Sequence, residues 1–140
     1  MRWIAGLLLL IGVSSTTWAE APAGDDPFSR FLFAPDRVMS HSLEIGLQDS
    51  QKTAIRNEVQ RVQSKFLDSQ FELQGESEKM VRLLQEGTVD EAKALAQADR
   101  ILTLEREIKR TQISLLVRIK NILTPAQQAK LVEIQSTGGK

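Results

Sequence analysis

The chain has 140 residues, with 18 basic and 18 acidic side chains, one His, no Cys and no Tyr. The even charge balance argues against a nucleic-acid binder, which relies on clustered positive charge. Without a thiol there is no disulfide and no Cys nucleophile, and one His leaves little for a catalytic apparatus.

Arg2 precedes an unbroken apolar or Gly stretch from Trp3 to Val13, and Ser14, Ser15, Thr16, Thr17, Trp18 and Ala19 follow. Positive charge, apolar core and small-residue exit make residues 1–19 a secretory signal peptide. The apolar run is about eleven residues, against the roughly twenty a membrane span needs. Cleavage is expected after Ala19, giving a periplasmic protein with no transmembrane segment; a retained anchor is the alternative. Losing Arg2 leaves 17 basic against 18 acidic residues, a net charge of −1.

Residues 20–35 read as a flexible arm, because Pro22, Gly24, Pro27 and Pro35 break any period. Within it, Phe28, Phe31 and Phe33 either latch onto the helices or form an apolar patch that meets partners. A short helix is predicted from Asp36, as its cap, to Ile45, with Gly46 stopping it.

From Ile55 the four-three spacing runs through Val59, Val62, Phe66, Ser69, Leu73, Glu76, Met80 and Leu83. That seam predicts a helix from Asp49 to Gln85, about 55 Å long. Gly87 then suits a left-handed position, while Thr88 and Glu91 suit a capping box. The next helix carries Ala94, Ala98, Ile101, Leu104, Ile108, Leu115, Ile119 and Ile122 on one face and ends near Leu123. So short a turn makes the two long helices antiparallel.

A last short helix begins at Thr124-Pro125, with Gln127 in the reciprocal capping position. Leu131 and Ile134 give it an apolar side, and residues 136–140 read as a disordered tail. No strand pattern occurs. The predicted fold is all-α: a long antiparallel hairpin over residues 36–135 with a short helix at each end.

A two-helix hairpin hides one stripe of each helix. Leu67 and Phe71 lie off the first seam, and Leu95, Leu102, Ile113, Leu116 and Val117 off the second. Exposed apolar area is costly, at about 25 cal/mol per Å². Terminal helices cover it, a second copy covers it, or it is a working surface; a homodimer with apolar surface left over is expected.

Leu123-Thr124-Pro125-Ala126-Gln127 matches an LTxxQ motif, and Leu47-Gln48-Asp49-Ser50-Gln51 is a degenerate copy at the start of the first long helix. With a signal peptide and a long hairpin, the chain resembles the Spy/CpxP family of periplasmic proteins over residues 35–135. CnrX- and ZraP-type metal-responsive proteins are relatives. The resemblance implies a cradle-shaped dimer of thin hairpins. It also implies ATP-independent holding of unfolded or partly folded envelope proteins, or damping of an envelope-stress sensor kinase, or metal sensing on behalf of a membrane signalling protein. Three departures matter. Gln48 replaces Thr, so Asp49 is expected to take over the first cap. Net charge is near zero where Spy-like cradles are basic. Leu115 and Ile119 stand where CnrX-like sensors need metal ligands.

No metal or other cofactor is expected. Met39, His41 and Glu44 are weak metal candidates, because specific transition-metal sites want three or four converging ligands. Leu47, Gln51, Leu123, Thr124 and Gln127 read as structural caps and packing residues. The candidate client or partner surface is Phe28, Phe31, Phe33, Leu67, Phe71, Leu102 and Ile113, and an enzyme is rejected.

Overall fold

A computed structural model describes residue 28 and residues 30–138, so the expected signal peptide and most of the arm lie outside the described residues. The elements are α1 (Pro35–Ser40), α2 (Asp49–Leu84), α3 (Glu91–Ile122) and α4 (Pro125–Thr137), and no strand occurs among the described residues. At 1.5 Å per residue, α2 and α3 are rods of about 54 and 48 Å that pack antiparallel along their length. The predicted all-α hairpin is the observed fold.

Several element ends differ from expectation for identifiable reasons. The first helix stops at Ser40, not Ile45, because His41 leaves the helical region at φ −99°, ψ 16°. Turns carry the chain on to Gly46, whose φ of 65° only Gly adopts cheaply. The Leu47 N–H donates to the Ser42 carbonyl at 2.8 Å and the Gly46 N–H to that of Leu43 at 3.2 Å, which is a Schellman closure. Asp36 is not a cap: Pro35 already begins the helix, and Asp36 sits in the first turn, where its charge suits the helix dipole.

Asp49 is not the cap of α2 either. Gln48 holds that position, and Asp49, one residue inside, pairs with Lys52 at 3.1 Å. At the tip, α3 starts at Glu91, too late for Thr88 to cap it; the Asp90 carboxylate accepts from the Lys93 N–H at 3.1 Å instead. Gly46 is the one Gly with positive φ among the described residues, so Gly87 does not turn the chain through the left-handed region. The last helix runs to Thr137, two residues into the expected tail.

The core gathers at the open end of the hairpin, its base. Phe33, Val38, Ile45, Leu47, Ile55, Leu115, Ile119, Leu123 and Leu131 form one buried cluster, with Val59, Val62, Ile122 and Ile134 packed around it. α1 and α4 therefore cover the base and leave the rest of the hairpin as two bare helices. Phe33 is only 1% exposed. Its placement on the outward surface is corrected: the arm folds back and buries this ring against the core, which is the latch reading. Phe31 stays exposed, with Arg30 and Lys120 each 5.7 Å from its ring centroid. The Gln135 amide, with its nitrogen turned toward the Arg30 carbonyl and its oxygen toward Arg37, ties α4 to the arm and α1.

Candidate functional site

The two five-residue motifs meet at the base, although 76 positions separate their glutamines. Gln51 Nε2 donates to Gln127 Oε1 at 2.8 Å, and Gln127 Nε2 donates back to Gln51 Oε1 at 3.0 Å. Each amide also serves its own helix start. The Gln48 N–H donates to Gln51 Oε1 at 3.0 Å, and the Thr124 N–H to Gln127 Oε1 at 2.9 Å. A backbone N–H can only donate, so these bonds fix which way both amides point.

The remaining amide hydrogens cross between motifs. Gln51 Nε2 donates to the Ile122 carbonyl at 2.9 Å, and Gln127 Nε2 to the Gly46 carbonyl at 3.2 Å. Those carbonyls occupy equivalent places, one residue before Leu47 and one before Leu123. The arrangement is thus a local two-fold, with every donor and acceptor of both amides used. Leu47 and Leu123 are buried beside it. Thr124 Oγ1 accepts from the Gln127 N–H at 3.2 Å, completing the predicted capping box. The Thr124–Gln127 box was readable from sequence, while the first cap was expected at Asp49 and falls at Gln48. The mutual bonding of the two glutamines was not readable, because no local pattern links residues so far apart.

The hairpin beyond the base carries the other candidates. Phe71 is 72% exposed and Leu102 59%, with Leu67 and Ile113 exposed beside charged neighbours on the same helices. Leu95, Val81, Leu84 and Val117 are exposed as well. Phe28 and Phe31 are exposed at the base, away from that stretch of the hairpin.

One polar contact joins the rods near the tip. Gln97, 6% exposed, donates from Nε2 to the Glu76 carbonyl at 2.8 Å and to its Oε2 at 2.6 Å. Lys79 donates to the other Glu76 oxygen at 2.5 Å. The Lys79 bond first, and then the Gln97 bond, hold the Glu76 carboxyl below its ordinary value of 4.5. The seam position of Glu76 signalled this in the sequence, but its partner Gln97 lies beside the α3 seam rather than on it.

The weak metal candidates do not converge. His41 Nδ1 lies 2.9 Å from Glu44 Oε1, while Met39 packs against the core. No group of three or more His, Cys, Asp or Glu side chains is placed to hold a metal among the described residues. Leu115 and Ile119 are buried apolar residues of the core. This donor set does not fit a resident transition metal.

No helix among the described residues is long and apolar enough to cross a membrane. No curated protein and no solved structure matches the chain. A family model described as heavy-metal resistance matches residues 4–130, most of the chain. With its paired LTxxQ-type motifs locked together under a helical hairpin, the chain belongs to the heavy-metal resistance family, which includes the Spy/CpxP, ZraP and CnrX types.

Proposed function

We propose that this is a periplasmic, ATP-independent chaperone or stress adaptor that holds unfolded or partly folded envelope proteins and performs no catalysis. The observation that carries the reading is the set of large apolar side chains, Leu67, Phe71, Leu102 and Ile113, left exposed on the two long helices. Contacts spread over such a surface are individually weak, which suits promiscuous capture and release without a nucleotide. Two copies joined as a cradle would cover part of this surface and leave the rest for clients. The test is aggregation of a denatured model protein. Suppression at a few-fold molar excess is expected, and no suppression removes the chaperone reading.

The family description favours a second reading, a metal-linked sensor or inhibitor module that docks on a membrane signalling protein. Calorimetry with nickel, cobalt, copper and zinc separates the two. Heat from one of them, lost in His41→Ala, supports the sensor; silence from all four removes its metal form.

A further inference from the structure

The middle of the hairpin holds an open cleft of about 400 Å³ between α2 and α3, lined by Arg61, Val62, Lys65, Glu107, Arg110, Thr111 and Ser114. We propose that this cleft binds a phosphate-type oxyanion, free or carried on a lipid headgroup. Three cations face one carboxylate there. Arg61 and Lys65 stand one helical turn apart on α2, and Arg110, Thr111 and Ser114 stand within one turn on α3, so both walls supply donors.

Two of these cations have no competing partner among the described residues. Glu58 occupies Arg61 at 2.6 Å and also reaches Arg118 at 3.8 Å, across the two helices. Lys65 and Arg110 form no ion pair or hydrogen bond with any described residue, Glu107 included. The hydroxyls point to the same conclusion. Ser77 and Thr103 spend their O–H on the carbonyl one turn back, each at 2.8 Å. Thr111 and Ser114 make no such bond, and among the described residues their hydroxyls have no partner. A planar guanidinium, an ammonium and two hydroxyls are a donor set suited to a compact oxyanion. None of Leu67, Phe71, Leu102 or Ile113 lines the cleft, although Leu67 and Ile113 lie within two residues of its lining in the sequence.

The experiment titrates the isotope-labelled full chain with inorganic phosphate and follows backbone amide shifts at low salt. A parallel arm sediments the protein with phosphatidylglycerol or phosphatidylcholine vesicles. Saturable shifts centred on Lys65, Arg110, Thr111 and Ser114 are expected, with affinity about ten-fold weaker in K65Q/R110Q. Both substitutions are at exposed positions, and an unchanged circular dichroism melt establishes that the variant folds. Binding to phosphatidylglycerol but not phosphatidylcholine, without a response to free phosphate, assigns the headgroup as the source. No response in either arm overturns the proposal. So does binding that K65Q/R110Q leaves unchanged, or binding only to an acidic peptide.

Discussion

At the base, four helices and a returning arm enclose Val38, Ile119 and Leu131 at 0% exposure, and every amide atom of the Gln51–Gln127 pair has a partner. Toward the tip, the same two long helices continue without cover; Leu104 and Gln97 are the buried side chains there, and Phe71 is mostly in water. One sequence thus contains a conventional core and a stretch of hairpin that buries too little to be stable alone. The helical periodicity is the same in both regions. What differs is whether a third and fourth element arrive to cover the second face.

The largest expected effect tests the base as the source of stability. Ile119→Ala or Leu131→Ala removes a fully buried side chain and is expected to cost about 3 kcal/mol in urea unfolding. A cost under about 1 kcal/mol would place the stabilising core elsewhere. Next comes the amide pair. Gln127→Leu leaves the Gln51 amide, the Gly46 carbonyl and the Thr124 N–H each short of a partner, at an expected cost of about 2 kcal/mol. Adding Gln51→Leu should cost less than it does alone, since the bonds it would break are already gone; simple additivity in this double-mutant cycle would show that the amides do not act together.

Smaller effects are expected near the tip. Gln97→Ala is expected to cost about 1 kcal/mol, and proteolysis should show the tip opening before the base. The acid limb of stability sharpens this point. Glu76 has a folded pKa below its ordinary 4.5, so its contribution is fully present above that value and is lost as pH falls through the folded pKa. Glu76→Gln should lower stability at neutral pH and flatten its decline below 4.5, and an acid limb identical to the parent would contradict the pairing. Smallest of all, Phe71→Ser should shift stability by no more than about 0.5 kcal/mol while weakening client binding.

Much of this was legible in the sequence because it is local. The Thr124–Gln127 box, the two long seams and the off-seam Phe71 and Leu102 all follow from spacing within a turn or two. Gly46, by contrast, was expected to stop a helix at Ile45 and instead closes a turn six residues past the helix end at Ser40. What was missed depended on tertiary contact or on competition between neighbours. Asp90 displaced Thr88 because the helix start moved, which periodicity alone does not fix. Phe33 could not be told from Phe28 and Phe31 until the arm's return path placed it over the core. The mutual bonding of Gln51 and Gln127, and of Glu76 with Gln97, needed the hairpin closed before the partners could meet.

Backbone hydrogen exchange, with and without a denatured client, addresses the division between packed base and bare hairpin most directly. New protection is expected in residues 63–74 of α2 and 98–117 of α3, while the slow amides around Ile119 and Leu131 in the core stay unchanged. Client-induced protection confined to the base, or none anywhere at saturating client, would contradict a binding surface on the uncovered helices.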